Sequence, residues 1–347
     1  MSTFYFLPFI LSFFCSLFLT PIVKKVAVYF EIVDKPGPRK IHQNPIALLG
    51  GVAIYFSFVI TTLVFWSFGY VSDVKISNLY IFGIIIAGAI LMIGGYFDDR
   101  YSLKPWQQLI FPIAAVLLVL LAGIRIQNIT NPFGGIIVFP FYFGVALTFF
   151  WLLATTYTSK ILDGLDGLVS GITAIASIII FIVSLYWDVP LSGTSIMALI
   201  LAGACLGFLL FNWHPAKIFL GEGGSVFCGF LLGILSVISG SKIATALLIM
   251  GIPLLDIVLI VILRLWQGKS PVSGDNKHLH FRLLEIGLSH RQAVIFLYCL
   301  VTAFGTASLF LHSKGKIIAL GVLVLLMLIL AVVLFAIYRV KNEKKSS

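Results

Sequence analysis

Five polar stretches carry residue types that do chemistry, and each interrupts an otherwise apolar chain. Gly94-Gly95-Tyr96-Phe97-Asp98-Asp99-Arg100 sets two carboxylates side by side. Their repulsion raises the pKa of one, and the pair can bind a divalent cation or take a proton; a solvated helix end is the plainer alternative. Asp163-Gly164-Leu165-Asp166-Gly167-Leu168, entered from Lys160 and followed by Ser170-Gly171, spaces two carboxylates three residues apart. They share a face if the segment is helical, and the glycines let backbone amides approach a phosphate or a metal-bound oxygen. A plain turn is the alternative; a calcium loop lacks its ligand series ending in glutamate.

The third stretch runs from Phe211-Asn212-Trp213-His214-Pro215 through Ala216-Lys217-Ile218-Phe219-Leu220 to Gly221-Glu222-Gly223-Gly224-Ser225. Glu222 is a lone carboxylate between glycines at a helix mouth, where backbone donors suit a metal or phosphate. Asn212 and Phe219 have the groups to hydrogen-bond and stack a nucleobase, or simply to pack a helix end. In Asp275-Asn276-Lys277-His278-Leu279-His280-Phe281-Arg282, alternating histidines between cations suit a diphosphate, with imidazole moving a proton near neutral pH. A solvated basic loop is the alternative, and zinc would need a thiolate or HExxH partner that does not occur. Asp34-Lys35-Pro36-Gly37-Pro38-Arg39-Lys40-Ile41-His42, running to Gly50-Gly51, reads as an anionic-headgroup site or as a positive-inside loop. Asp256, beside Pro253 in an apolar run, is a functional candidate by default.

The elements that must position these residues are membrane helices. With 60% hydrophobic residues, 10% charged and a mean hydropathy of +1.11, the 347-residue chain cannot cover a soluble surface. Apolar runs near 4–23, 50–70, 77–96, 107–123, 138–158, 168–187, 192–211, 225–240, 243–263, 292–311 and 317–338 predict about eleven spans in an all-α polytopic fold. The first lacks a basic n-region and a cleavage site and is expected to be retained. Cys15, Cys205, Cys228 and Cys299 lie in apolar runs without paired spacing, as small apolar side chains. Of the 23 Lys and Arg, all but Lys75, Arg125, Lys242, Lys314 and Lys316 fall on one side of this layout. That side is cytoplasmic, which puts the N-terminus outside and the C-terminus inside. Asp98, Asp99, Asp163, Asp166, Glu222, Asp275, His42, His214, His278 and His280 fall on it too; Asp73, Asp188 and His312 fall opposite. A single integral membrane domain over 1–347 is expected, with cytoplasmic loops near 24–49, 97–106, 159–167, 212–224 and 264–291. The formal charge of +10 belongs to these short connections rather than to a nucleic-acid-binding domain.

In order, the RKxH loop with Gly50-Gly51, the Asp98-Asp99 pair, DGLDGL, FNxxPAKIF with its acidic-glycine-serine turn and the histidine loop resemble the polyprenyl-phosphate N-acetylhexosamine-1-phosphate transferases. That family includes the bacterial undecaprenyl-phosphate GlcNAc-1-phosphate transferases and the phospho-MurNAc-pentapeptide translocases, and the match covers about residues 20–290. The resemblance implies a bacterial plasma-membrane enzyme whose cytoplasmic site joins a UDP-linked HexNAc phosphate to a polyprenyl phosphate, releases UMP and needs Mg²⁺, with Mn²⁺ as an alternative. It implies that Asp98 or Asp99 deprotonates or orients the lipid phosphate, that Glu222 and Asp163 hold the metal, and that Asp166 contacts metal or uridine. His278 and His280 would meet the diphosphate and Asn212 and Phe219 the uridine, with Arg39, Lys40, His42, Lys217, Asp275, Lys277 and Arg282 binding substrate. The short HxH form favours the GlcNAc-1-phosphate branch over the pentapeptide branch; a homodimer is admitted as a partner, and a secondary transporter built around Asp256 is the reading from another class. Three departures stand out: Tyr157 and Lys160 where the family commonly has Asn, Glu222 where it usually has Asp, and Phe281 where a third His is frequent.

Overall fold

The computed structural model describes residues 6–36, 44–73, 76–131, 133–187, 192–238, 243–266, 268 and 278–346. Helix α1 (Phe6–Tyr29) leads into a two-stranded antiparallel pair, β1 (Val33–Asp34) with β2 (Ile46–Ala47), and on to α2 (Gly50–Ser67) and α3 (Asn78–Tyr101). A short α4 (Pro105–Gln108) and α5 (Ile110–Leu121) precede a second antiparallel pair, β3 (Asn128–Thr130) with β4 (Ile136–Val138). Helices α6 (Phe141–Leu162), α7 (Leu168–Trp187), α8 (Gly193–Asn212), α9 (Gly221–Ile238), α10 (Ile243–Trp266), α11 (Leu279–Glu285), α12 (His290–Phe310) and α13 (Ser313–Ser346) complete the chain. Lipid offers no hydrogen bonds to the backbone, so every long apolar run closes its own as a helix.

Ten of these helices are long and apolar enough to cross a membrane, which makes the chain a multi-pass membrane protein. The eleventh expected span, 107–123, is present in shortened form. Its α5 has 12 residues, about 18 Å of helix against a hydrocarbon core of about 30 Å. The cause is local: α3 runs on to Tyr101, Ser102 turns the chain at φ 52°, and Gln108 is drawn back to Asp98.

Burial sorts the bundle. The apolar stretch of α9 is 94% buried and that of α13 is 11% buried, so α9 is the central post and α13 faces lipid. Small residues let the inner helices touch, as membrane packing requires: a Cβ on Gly203 or Gly207 of α8 would collide with the α1 turns that carry Ser12 and Ser16. Helices α3, α6 and α8 end, and α2, α7, α9 and α12 begin, at the same end of the bundle. The polar stretches lie at those ends, and charge there did not stop the helices where hydropathy fell. Helix α3 passes the expected 96 to reach 101, α6 passes 158 to reach 162, and α9 starts at 221 rather than 225. Asp98, Asp99 and Glu222 are therefore helical residues, and Asp163 caps α6.

Candidate active site

Glycine contacts assemble the site. A side chain on Gly51 of α2 would strike the Gly224 backbone of α9, and one on Gly95 of α3 would strike Gly223. Gly50 and Gly51 donate their N–H groups to Phe219 O and Leu220 O at 3.0 and 2.7 Å, and Phe219 donates to Ala47 O at 2.8 Å. The loop before α9 is thus laced onto β2, with Ala47 bridged in parallel to Ile218. Gly221 turns the chain into α9 at φ +76°, a conformation a side chain would strain.

This approach brings Asp99 to the N-terminus of α9. Its Oδ1 accepts the Glu222 N–H at 3.1 Å, where the helix dipole favours an anion. Its Oδ2 is buried and has no hydrogen-bond partner among the described residues. Asp98 is used differently: its Oδ1 accepts from Leu103 N–H at 2.8 Å and from Gln108 Nε2 at 2.9 Å, which fixes the turn after α3.

The second and third stretches are sewn together by Asn212 and Asp166. Asn212 Oδ1 accepts from Gly167 N–H at 3.0 Å and Ser170 Oγ at 3.1 Å, while its Nδ2 donates to Ile218 O at 3.0 Å. The residue expected to read a nucleobase is largely committed to the scaffold, with one amide hydrogen left over. The Tyr298 hydroxyl donates to Gly167 O and locks the same turn from α12. Asp166 Oδ2 accepts from His214 Nδ1 at 2.7 Å and from Ala216 N–H at 3.1 Å.

These contacts enclose a cavity of about 880 Å³ lined by Asp98, Asp99, Asp163, Asp166, Asn212, Phe219 and Glu222, with Asp34 and Leu48 from the first loop and Phe281 and His290 from the last. Asp163 is exposed on its cavity side yet has protein around it on most others. That enclosure, then the like charges of Glu222, Asp99 and Asp166, hold its carboxyl well above the usual carboxylate range.

The histidine loop behaves otherwise than expected. His278 turns its Nδ1 to Asp256 Oδ2 at 2.9 Å, and Leu279 N–H donates to Asp256 Oδ1 at 3.0 Å. Asp256 thereby pins the start of α11 to α10. His280 is 2% exposed and packs on Gly164, where a Cβ would strike the ring. Burial, with His278 adding to it, lowers its pKa to about 3, so it is neutral at physiological pH and cannot meet a diphosphate as a cation. His278, His280, Lys217 and Arg282 do not line the cavity, whereas Phe281 does. Arg39, Lys40, His42, Asp275 and Lys277 lie outside the described residues.

Acid should expose the cost of burying His280. Unfolding restores its ordinary pKa of 6.5, so the unfolded chain takes up a proton and stability falls as pH drops from 6.5 toward 3. At pH 5 the loss is about 2 kcal/mol. Melting in detergent at pH 7.5 and pH 5 should show a larger acid drop for wild type than for His280→Leu; equal drops would refute the burial. Asp163, held high, shifts both proteins the other way and cancels.

Two cavity residues had no expected role. His214 and His290 stack with centroids 4.0 Å apart and planes 13° apart, and Arg291 holds the His214 carbonyl at 2.8 and 2.9 Å. Ligand atoms of Asp166, His214 and His290 lie within 4.8 Å of one another. Parallel rings, however, send their in-plane lone pairs along parallel planes instead of converging on one ion. His214 was visible inside the FNxxPAKIF stretch; nothing in the sequence pointed to His290.

For a hard divalent cation, the fitting donors are Asp99 Oδ2, buried without a partner, and the open carboxylate of Asp163. Glu222 also lines the cavity, with its Oε1 paired to Lys160 Nζ at 2.6 Å.

The family model for Glycosyl transferase family 4 matches residues 81–240, which hold the Asp98-Asp99 pair, DGLDGL and the Glu222 turn. The chain is 29% identical over 346 residues to the Bacillus subtilis protein named "Probable undecaprenyl-phosphate N-acetylglucosaminyl 1-phosphate transferase", covering 94% of this chain and 90% of that one. It is 33% identical over 327 residues to the decaprenyl-phosphate N-acetylglucosaminephosphotransferase of Mycolicibacterium smegmatis, with 86% and 80% covered. Against the undecaprenyl-phosphate alpha-N-acetylglucosaminyl 1-phosphate transferase of Salmonella typhi it is 28% identical over 289 residues, with 80% and 75% covered. An acidic cavity assembled from the shared stretches, and similarity along nearly the whole chain, have one explanation: the protein belongs to glycosyl transferase family 4, among the polyprenyl-phosphate N-acetylhexosamine-1-phosphate transferases.

Proposed function

We propose that this protein transfers N-acetylglucosamine-1-phosphate from a UDP-sugar to a polyprenyl phosphate, releasing UMP and leaving a lipid-linked diphosphosugar. The supporting observation is that five carboxylates from three separate stretches surround one cavity at one end of the helix bundle. An oxygen of the lipid phosphate attacks the sugar-bearing phosphorus of the donor, and the bond to the UMP oxygen breaks. Both reactants are anions, so the work is positioning and charge neutralisation.

Asp99 is the residue for the lipid phosphate, since its unpartnered oxygen can take the proton or orient the attacking group. Asp99 and Asp163 would hold Mg²⁺ or Mn²⁺, which supplies charge neutralisation on a diphosphate. Asp98 sets the turn that carries Gln108 beside them. Phe219 gives the cavity an aromatic face for uracil, and Asp166 with His214 walls the same side. The surplus of Lys and Arg at this end supports a cytoplasmic face for the cavity, with the N-terminus outside and the C-terminus inside.

The purified protein in detergent should release UMP from UDP-GlcNAc only when polyprenyl phosphate is added, and chelation should stop it. Release from UDP-MurNAc-pentapeptide instead would move the chain to the other branch. No UMP from either donor would remove the reading.

A further inference from the structure

Three of the four departing residues, Tyr157, Lys160 and Glu222, meet at the Lys160 ammonium. Lys160 Nζ lies 2.6 Å from Glu222 Oε1, 2.7 Å from Gln108 Oε1 and 5.9 Å from the centre of the Tyr157 ring. Each departure is explained by the others. Lys in place of Asn sends an ammonium toward α9, Glu in place of Asp reaches one methylene further to meet it, and the Tyr157 ring lies within reach of the cation as a favourable π partner. Gln108 extends the group: its Nε2 donates to Asp98 Oδ1 at 2.9 Å and to Leu103 O at 3.1 Å while its Oε1 accepts from Lys160. No Lys or Arg among the described residues lines the cavity itself, although six carboxylates do. Lys160 is therefore the ammonium that offsets part of that charge from just behind the wall.

We propose that Lys160 is a built-in counter-cation that closes Glu222 to metal, so that a divalent ion at this site is held by Asp99 and Asp163 and is opposed by the lysine charge. An ammonium on Oε1 competes with a metal for that oxygen and neutralises much of the charge the carboxylate could offer through the other, and a fixed positive charge beside the site raises the free energy of a second cation there. The inference rests on the metal placement in the transferase reading and departs, at Glu222, from what the family resemblance implies. It also assigns Tyr157 and Gln108 a positioning role, holding the ammonium on Glu222 and away from the cavity.

The test is Mn²⁺ binding to the full chain in detergent, without substrate, followed by the loss of the free-ion electron paramagnetic resonance signal. Lys160→Met should bind Mn²⁺ about tenfold more tightly than wild type, because a unit positive charge near a divalent ion has been removed. Lys160→Arg keeps the charge and should stay within about threefold of wild type. The double variant Lys160→Met with Glu222→Gln has a neutral pair in place of a neutral ion pair and should also bind within about threefold. Equal or weaker binding in Lys160→Met overturns the proposal, and so does a tenfold loss in the double variant, which would make Glu222 a ligand. Should Lys160→Met not survive purification, Lys160→Gln removes the same charge and carries the same expected tenfold gain, with the same result overturning the proposal. UMP release is measured separately: a wild type that releases none removes the transferase reading, while the Mn²⁺ comparison keeps its meaning.

Discussion

Asp99→Asn should lower UMP release about a thousandfold while the solubilised protein keeps its size-exclusion profile and melts within about 3 °C of wild type. The two halves of this result come from the two oxygens of one carboxylate. Oδ1 accepts the Glu222 N–H, and the amide oxygen of Asn can still accept it, giving up only the attraction of an anion to the helix dipole. Oδ2 is the buried atom with no partner, and there Asn puts an NH₂ that can neither take a proton nor hold a cation. The substitution also removes a negative charge from beside Glu222 and Asp163, which relieves repulsion in the empty site. The fold loses little and the chemistry loses its anionic oxygen. UMP release within tenfold of wild type would take Asp99 out of the reaction and leave it as a cap on α9. Asp98→Ala, which removes the accepting oxygen altogether, makes the informative contrast. Its oxygen holds Leu103 and Gln108, so the damage there should reach the turn and the position of Lys160.

How much of this could be read from residues alone depended on what physics writes into composition. The spans were legible because a low-dielectric solvent forces long apolar runs, and ten of the eleven expected runs are long helices. The run 107–123 misled because hydropathy records what tolerates lipid, not what Gln108 is bonded to. The Asp98-Asp99, DGLDGL and Glu222 stretches were legible as a group, and the structure brings them around one cavity. Atom-level assignments were not legible. Asn212 is chemically able to read a base, but which of its bonds are already spent follows from where Gly167, Ser170 and Ile218 lie. His280 looked like a cation because its neighbours in sequence are Lys277 and Arg282, whereas its neighbours in space include Gly164 and the wall of the bundle. Lys160 and Glu222 were visible only as two separate oddities 62 positions apart (222 − 160 = 62), and their 2.6 Å contact turns two losses into one exchange.

Gly95→Ala should cost about a hundredfold in UMP release and about 1–3 kcal/mol in stability, a large effect for one uncharged methyl group. A Cβ at Gly95 would strike the amide nitrogen and Cα of Gly223, atoms of a central helix that is 94% buried and has nowhere to retreat. Helices α3 and α9 must part, and the parting falls on the bond that aligns the site. Asp99 stands one helical turn beyond Gly95, and Glu222 directly precedes Gly223, so the 3.1 Å contact between Asp99 Oδ1 and the Glu222 N–H spans the same crossing. A displacement of about 1 Å suffices to misplace reacting groups. The same chemical change at Gly321 of α13 meets no atom within 4 Å and should stabilise the helix by about 0.5–1 kcal/mol with UMP release unchanged. Opposite signs of stability change from one substitution type are what a backbone-to-backbone contact at Gly95 demands. If the two variants instead behave alike in melting and turnover, α3 and α9 are not in contact there, and Asp99 has lost the scaffold that carries it to the head of α9.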